Sequence, residues 1–306
     1  MKIRLSILLL GALGAIASAQ EPPQASPPDQ PITTLQLNTK VVGVSAVVLD
    51  KKNRPVSGLT KGDFVLKEDG VPQTVRYFSQ GSDLPLTLAL MVDTSGSQRG
   101  YIDDEIKASG AFFPTMLTKP EDRAVLVQFD YDVRRLQALT NSVPDLTERL
   151  EYLSQPHPQP PGSRGGTLLF DAIYLTSRAL LRKEDGRRAM ILLTDGGDRG
   201  SRYSIAEAIG EAQRQDIVIY SIYYGDDSEG KKILRTISSY TGGRVFTVGG
   251  KTTLASIYTQ IAEDMRLQYQ LGYTPPESKP GSYHLIDLAP INKQLIVAAR
   301  KGYYTK

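Results

Sequence analysis

From residue 84 to residue 267, the sequence alternates short, continuous apolar runs with segments of helical periodicity. The apolar runs lie at 87–93, 124–130, 189–195, 217–225 and 244–250. The helix-periodic segments lie at 98–118, 145–154, 167–183, 204–215, 230–241 and 252–267. Apolar runs without polar alternation are typical of strands buried on both faces, and helices between them serve as crossover connections. The pattern therefore predicts an α/β fold with helices on both faces of a mostly parallel sheet.

β-rich sequence flanks this α/β segment on both sides. Residues 35–82 contain β-branched, partly alternating runs, and an Asp69-Gly70 turn predicts a hairpin. Residues 268–306 contain three further strand-like runs separated by Pro, Gly and Asn. Each flank has too few strands for an independent sandwich. We therefore expect residues 35–82 and 268–306 to form one small β-sandwich-like domain, with the segment 84–267 inserted between them.

The N-terminus has the composition of a secretory signal peptide. Lys2 and Arg4 precede an apolar run, and the small residues Ala17-Ser18-Ala19 follow it. The apolar run is about 12 residues long, whereas a membrane span needs about 20. We predict that residues 1–19 are cleaved after Ala19, which makes the chain secreted or periplasmic without a later transmembrane segment. The alternative is an uncleaved anchor. Residues 20–34 are rich in Pro and Gln and predict an extended linker.

Composition excludes several classes of function. The 306 residues include no Cys and only two His, which excludes thiolate metal sites, Cys nucleophiles and most His-based catalysis. The formal charge of +3 falls to +1 when Lys2 and Arg4 leave with the signal peptide, so no nucleic-acid partner is expected. The Gly-rich stretch at 162–166 lacks the Lys-Ser/Thr of a phosphate-binding loop. We therefore expect no nucleotide cofactor.

Oxygen-bearing side chains collect where the predicted strands end. Asp93, Ser95 and Ser97 alternate directly after one strand, Asp195 ends another, and Thr167 follows the Gly-rich stretch. In an open α/β sheet the carboxyl ends of the strands border the ligand-binding crevice. A set of carboxylates and hydroxyls without His or Cys suits a hard divalent cation such as Mg²⁺, Mn²⁺ or Ca²⁺.

The segments "DTSGS" (93–97), "GGT" (165–167) and "TDGGD" (194–198) resemble the metal-site elements of von Willebrand factor type A domains. The resemblance covers roughly residues 84–267 and implies a Rossmann-like sheet carrying a metal-ion-dependent adhesion site, or MIDAS. It implies that Asp93, Ser95, Ser97, Thr167 and Asp195 hold the cation, with Asp195 acting through water. The expected ion is Mg²⁺, with Mn²⁺ and Ca²⁺ as alternatives. The flanks resemble those of a secreted bacterial subfamily that joins such a domain to terminal β segments.

In this family the metal captures a carboxylate offered by a protein partner, so the resemblance implies an adhesion-type, protein-binding module rather than an enzyme. Two alternatives are an envelope-assembly scaffold with a structural metal and, less favoured, a metal-dependent hydrolase.

The roles of several single residues near the predicted site also stay open. Thr167 also fits the N-cap of the helix that follows, and Asp198 is either a support of the site or an ordinary loop residue. Asp130 and Asp132 are best explained by a hairpin between edge strands.

Overall fold

The computed structural model describes residues 41–81, 83–155, 165–182 and 184–305. The predicted signal peptide (1–19) and linker (20–34) lie outside these ranges. The described strands are β1 (Val42–Leu49), β2 (Phe64–Glu68), β3 (Val71–Gln73), β4 (Tyr77–Gln80), β5 (Leu86–Asp93), β6 (Arg123–Phe129), β7 (Val133–Thr140), β8 (Arg187–Thr194), β9 (Ile217–Tyr223), β10 (Val245–Thr247), β11 (Tyr269–Tyr273), β12 (Tyr283–Pro290), β13 (Ile296–Ala299) and β14 (Gly302–Tyr304). The helices are α1 (Ile102–Met116), α2 (Val143–Leu150), α3 (Leu169–Leu175), α4 (Ile205–Arg214), α5 (Ser228–Thr241) and α6 (Leu254–Arg266).

The central sheet has six strands in the order β10-β9-β8-β5-β6-β7. All neighbours in it are parallel except β6 and β7, which form an antiparallel pair at one edge. Every residue of β5 is buried, as expected for a strand covered on both faces, whereas no residue of the edge strand β7 is fully buried. The predicted α/β class is confirmed. Asp130 and Asp132 lie in the turn of the β6–β7 hairpin, as the sequence predicted.

Helices cover both faces of this sheet and form two separate cores. On one face, α1, α2 and α6 pack on the sheet through residues such as Phe113, Leu146 and Ile257. On the other face, α3, α4 and α5 contribute Ile173, Ala208 and Leu234. The strand order runs outward from β5 through β6 and β7 on one side and outward from β8 through β9 and β10 on the other. The boundary between β5 and β8 is therefore a topological switch point, where α/β proteins place their ligands.

Local side-chain chemistry sets several helix limits. Ser204 and Glu207 form a capping box that starts α4, and the Asp227 carboxylate accepts hydrogen bonds from the first backbone amides of α5. Thr253 caps α6 in the same way. Helix α5 ends at Gly242, whose φ of +92° fits the left-handed C-terminal position that glycine prefers. None of the helices in the described ranges is long and apolar enough to cross a membrane.

The terminal β segments form two four-stranded sheets, ordered β13-β1-β11-β4 and β14-β12-β2-β3. Each sheet combines strands from before and after the central sheet, since β1 pairs with β11 and β2 pairs with β12. The sheets share one apolar core that includes Val44, Leu66 and Tyr269. The Asp69-Gly70 hairpin joins β2 and β3 as predicted. The exact limits of the domains remain a prediction from the sequence.

Two strand-like runs of the sequence are each divided between the sheets. The run from 72 to 81 supplies β3 to one sheet and β4 to the other. The last run of the chain likewise breaks at Arg300 into β13 and β14. Arg300 forms an isolated bridge with Thr241 at the end of α5. Contact with the central domain therefore interrupts a strand that looks continuous in the sequence.

Candidate metal centre

Asp93 is fixed at the carboxyl end of β5 by hydrogen bonds to both of its carboxylate oxygens. Oδ1 accepts from the backbone amide of Ser95 at 2.9 Å, and Oδ2 accepts from the Thr194 hydroxyl at 2.6 Å. The side chain is fully buried. Thr194 is the last residue of the neighbouring strand β8, so this bond ties together the two strand ends at the switch point.

The loop after Asp93 brings Ser97 to the carboxylate of Asp195 and Ser95 to Ser97. The Ser97 hydroxyl donates to Asp195 Oδ2 at 2.6 Å, and the hydroxyls of Ser95 and Ser97 lie 3.3 Å apart. Asp195 directly follows β8. The structure thus places Ser97 against Asp195 and Ser95 beside Ser97, and Asp93 holds the start of the same loop. Alternate spacing of the serines allows both hydroxyls to face one centre.

The backbone of the Asp195 loop packs closely against the first turn of α5. A Cβ on Gly196 would lie 2.3 Å from the Gly230 carbonyl oxygen, and a Cβ on Gly230 would lie 2.1 Å from the Asp195 carbonyl oxygen. Gly196 also has φ of +80°. Glycine at both positions lets the first turn of α5 touch the loop directly. The position of the Asp195 carboxylate therefore depends on α5.

Thr167 lies on the third loop and lines the same cavity as Ser95, Ser97 and Asp195. Its backbone exchanges two hydrogen bonds with Arg199, at 3.2 and 2.8 Å, which joins the Gly-rich loop to the Asp195 loop. Helix α3 begins at Leu169 with Leu168 in the N-cap position. The N-cap position of α3 is therefore that of Leu168, and the reading of Thr167 as the helix cap is wrong.

The cavity above these residues has a volume of about 900 Å³. Its lining includes Ser95, Ser97, Thr167 and Asp195, together with charged neighbours such as Arg99 and Arg199. Oxygen donors of this kind, with two carboxylates between them when Asp93 is included, fit Mg²⁺ or a similar hard cation. The five residues thus have the donor chemistry for a divalent ion, and they come from three loops at the carboxyl edge of the sheet.

Burial raises the pKa of the Asp93 carboxyl to about 6, although hydrogen bonds from Thr194 and Ser95 act in the opposite direction. The nearby charge of Asp195 raises it further. Desolvation disfavours the charged form of a carboxyl, and a second negative charge adds to this effect. A bound cation would reverse the balance, because it stabilises both ionised carboxylates.

Several residues that serve the site were missed by sequence reasoning or left undecided. Gln98 is almost fully buried and donates from Nε2 to Asp195 Oδ2 at 3.0 Å. Asp130 Oδ2 accepts from the Thr94 hydroxyl at 3.3 Å. Asp198 Oδ1 accepts from the backbone amide of Phe170 at 3.1 Å, so it holds the first turn of α3 beside the Gly-rich loop. The one signal for Gln98 was its place directly after Ser97.

A second group of metal-ligating side chains lies in the β-sandwich. One ligand atom from each of Glu68, Asp69 and His284 lies within 4.8 Å of the others. His284 Nδ1 is 2.7 Å from Asp69 Oδ2, and the hydroxyls of Tyr273 and Tyr303 contact Glu68 Oε2. His284 meets these acidic residues because β12 pairs with β2, which no local pattern in the sequence indicates. His157, the other histidine, lies outside the described residues.

The chain matches the family model of the von Willebrand factor type A domain over residues 87–260. This range is more than half of the chain and contains all five predicted site residues. No curated protein matches the chain.

Solved structures provide a comparison at the level of the fold. A von Willebrand factor type A protein from Catenulispora acidiphila is 14% identical, with a TM-score of 0.50, over 88% of this chain and 74% of that chain. The vWF domain of the type V pili tip protein Mfa5 from Porphyromonas gingivalis is 15% identical, with a TM-score of 0.47, over 59% and 94%. Proximal thread matrix protein 1 from the mussel byssus, with a zinc-occupied MIDAS motif, is 16% identical, with a TM-score of 0.49, over 66% and 50%.

Proposed function

Because the chain belongs to the von Willebrand factor type A domain family, we propose that it is an adhesion-type module that binds a protein partner through a divalent cation. Asp93, Ser95, Ser97, Thr167 and Asp195 would hold the ion, and Mg²⁺ is the ion we expect. The partner would supply a carboxylate from an acidic side chain. Domains of this family are protein-interaction modules, and the proposal adds the metal and the chemistry of the partner.

The observation that carries the proposal is the meeting of Ser97 and Asp195 at 2.6 Å. These residues are separated by 98 positions in the chain and come from loops after different strands. The Ser95 hydroxyl lies 3.3 Å from that of Ser97, and the Asp93 carboxylate accepts a hydrogen bond from the Ser95 amide. Such convergence of oxygen donors at a switch point supports a cation site better than it supports ordinary loop packing.

When bound, the cation would supply a strong positive charge that an incoming carboxylate can neutralise. The protein's part is to hold oxygen donors on one side of the ion and leave the cavity side open. Charge-assisted contacts of this kind are stronger than neutral hydrogen bonds, and partial exclusion of water strengthens them further. This arrangement favours binding of an acidic partner over hydrolysis of a substrate.

The sequence of residues 1–19 supports a location outside the cytoplasm. We propose that the signal peptide is removed after Ala19 and that the mature chain acts in the periplasm or outside the cell. Mass spectrometry of protein recovered from the extracytoplasmic fraction tests this directly. A chain beginning at Gln20 is expected, and a chain that keeps residues 1–19 would contradict the proposal.

Carboxylate capture can be tested with Mn²⁺ as the bound ion, because Mn²⁺ relaxes the protons of the water that it holds. The probe is the capped amino acid N-acetyl-glutamate amide, and its matched control is N-acetyl-glutamine amide. We expect the glutamate compound to lower the water relaxation of the Mn²⁺-loaded protein, whereas the glutamine compound leaves it unchanged. Equal relaxation with both compounds, while Mn²⁺ stays bound, would instead indicate a structural metal of the kind a scaffold subunit carries.

A further inference from the structure

A second cavity lies at the other edge of the central sheet, and we call it the basal crevice. It has a volume of about 420 Å³ and is lined by residues at the amino ends of β8 and β9 and by strands of the β-sandwich. Small-molecule sites in proteins commonly have volumes of roughly 300–1,000 Å³ and often lie where two domains meet. The basal crevice meets both conditions and shares no lining residue with the candidate metal centre.

One wall of the basal crevice is the outer face of β1. Val42 and Val44 point into the sandwich core, so the alternate residues Val41, Gly43 and Ser45 face the crevice. Val218 of β9 contributes apolar surface from the central sheet. A Cβ built on Gly43 would meet no atom within 4 Å. The wall is therefore apolar and open enough to receive a hydrocarbon group.

The charged lining of the basal crevice is strongly unbalanced. Among the described residues that line it, the acidic side chain is that of Asp216, and the basic side chains are those of Arg187, Arg188, Arg214 and Arg300. Arginine is the side chain best suited to bind a carboxylate, since its planar N–H groups match two oxygens. The excess of guanidinium groups gives the crevice a preference for anions.

Three of these arginines make close contacts within the protein. Arg187 donates to the carbonyl oxygens of Leu84 and Met265, and Arg214 lies 3.8 Å over the Tyr304 ring. Arg300 contacts Asp216 closely and donates to the Gly43 carbonyl oxygen at 2.6 Å. These contacts join the sandwich to the central sheet.

Arg188 has a more distant ion-pair partner than these arginines, and one of its N–H donors has no hydrogen-bond partner. Its side chain is only 14% exposed, and Nη2 is 3.9 Å from Asp216 Oδ2, which is beyond hydrogen-bond distance. Arg188 Nε is buried without a hydrogen-bond partner among the described residues, and the same holds for Arg300 Nε. Buried N–H donors are nearly always paired in folded proteins. Two unpaired guanidinium donors at one cavity therefore indicate an anionic ligand.

We propose that the basal crevice binds a small amphipathic carboxylate, with its head group at Arg188 and Arg300 and its apolar body along β1 and β9. The guanidinium groups of Arg188 and Arg300 would donate hydrogen bonds to the carboxylate oxygens. The space above Gly43 would hold the hydrocarbon. The neighbouring Arg187 side chain is partly buried, and this burial lowers the pKa of its guanidinium. This site is independent of the metal-dependent function proposed above.

The test uses decanoate as the probe and decan-1-ol as its neutral control, both titrated calorimetrically into the full mature chain. We expect saturable binding of decanoate at one per chain and binding of decan-1-ol weaker by about tenfold or more. Arg188→Gln should weaken decanoate binding by about tenfold. Gly43→Phe should abolish it by filling the crevice. Arg235→Gln, on the exposed face of α5, removes the same charge and should have no effect.

Thermal melting followed by circular dichroism shows whether each variant is folded. If Gly43→Phe fails to fold, the effect of Arg188→Gln on decanoate binding still tests the proposed site. Absence of saturable decanoate binding to the wild-type chain would overturn the proposal. Equal affinity for decanoate and decan-1-ol, or equal weakening by Arg188→Gln and Arg235→Gln, would overturn the assignment of the head group to Arg188.

Discussion

At the residue scale, Asp93 is a buried acid that ionises less readily than an exposed aspartate does. Its pKa of about 6 lies above the ordinary aspartate value of 3.8, mainly because of burial. A pKa difference of this size corresponds to roughly 3 kcal/mol. The protonated form favours folding, so the contribution of Asp93 to stability is greatest below pH 3.8 and is lost as the pH rises to about 6. At neutral pH, a bound cation would offset this cost.

The first prediction concerns the pH dependence of metal binding. Protons and the cation compete for Asp93, so the affinity for Mn²⁺ should be constant above pH 7 and fall by about tenfold per pH unit below about pH 6. Calorimetric titration between pH 7.5 and pH 5.0 measures this. Ser97→Ala should weaken binding at every pH without changing the slope. An affinity that stays constant down to pH 5.0 would show that Asp93 does not hold the ion.

The second prediction concerns Glu105, which lies in the first turn of α1. Glu105 is fully buried, and neither carboxylate oxygen has a hydrogen-bond partner among the described residues. Burial raises its pKa well above the ordinary value, with the charge of Asp93 adding to the effect. Its contribution to stability is therefore present at low pH and is lost as the pH rises. Glu105→Gln should raise the melting temperature at pH 8 and have little effect at pH 5.

The control for this prediction is Asp104→Asn, which removes the same charge from the exposed neighbouring residue. Its effect on the melting temperature should be small at both pH values. If Glu105→Gln and Asp104→Asn behave alike at pH 8, the burial of Glu105 has no energetic consequence, and our account of this side chain is wrong.

The sequence allowed prediction of site residues that repeat a spacing within one loop. It did not allow prediction of residues that reach the site from a different strand. Asp93, Ser95 and Ser97 alternate within one loop, so their convergence follows from local geometry. Gln98 reaches Asp195 only because β5 and β8 are adjacent, and the same is true of Thr194 and Asp93. No local pattern distinguishes Gln98 from an ordinary polar residue at the start of a helix.

At the element scale, the metal loops depend on the helices that touch them. Gly230 in α5 packs directly against the backbone at Asp195, with no room for a side chain. Any shift of α5 is therefore passed to the Asp195 carboxylate. Gly110 in α1 offers a comparison, because a Cβ there would meet the Thr147 methyl group at an ordinary 3.6 Å.

The third prediction compares these two helical glycines. Gly230→Ala should lower the free energy of unfolding by about 1–3 kcal/mol through overpacking and should weaken metal binding. Gly110→Ala should raise it by about 0.5–1 kcal/mol, because alanine is the better helix former, and should leave metal binding unchanged. Urea unfolding and Mn²⁺ titration give both quantities. Equal effects of the two substitutions on the metal would contradict the proposed dependence of the loop on α5.

The fourth prediction concerns the ion pair between Arg244 and Asp264, which joins β10 to α6. Arg244 Nη1 contacts both carboxylate oxygens of the fully buried Asp264, at 2.7 and 2.8 Å. Arg244→Met leaves that carboxylate without its cation and should lower the free energy of unfolding by about 3–5 kcal/mol. The double variant Arg244→Met, Asp264→Leu should recover most of the loss. Urea unfolding measures both, and a double variant as unstable as the single variant would contradict this account.

The elements of the central domain were predictable because each buried strand is an apolar run and each helix keeps its period. The sandwich was harder. The run from 293 to 304 has no break in its β character, yet it forms β13 and β14 in different sheets. The break at Arg300 arises from contacts with Asp216 and Thr241, which belong to the central domain. Such contacts leave no periodic signal in the sequence.

At the scale of the whole molecule, the central sheet has a distinct cavity at each edge. The carboxyl edge carries the oxygen-lined candidate metal centre, and the amino edge meets the β-sandwich at the basal crevice. The sequence predicted the first cavity, because a parallel sheet collects the residues after its strands at one edge. It could not predict the second, since Gly43, Arg188 and Arg300 come from separate segments and share no motif.

The most direct test of the account is calorimetric titration of the mature chain with Mg²⁺ and Mn²⁺. We expect one ion to bind per chain, with binding weakened by Ser97→Ala and lost in Asp93→Ala. Asp69→Asn serves as the control, because it alters the Glu68–Asp69–His284 cluster and asparagine tolerates the φ of 48° at that position. It should bind as the wild type does. Binding that survives Asp93→Ala but is lost in Asp69→Asn would place the metal in the sandwich and contradict the central claim.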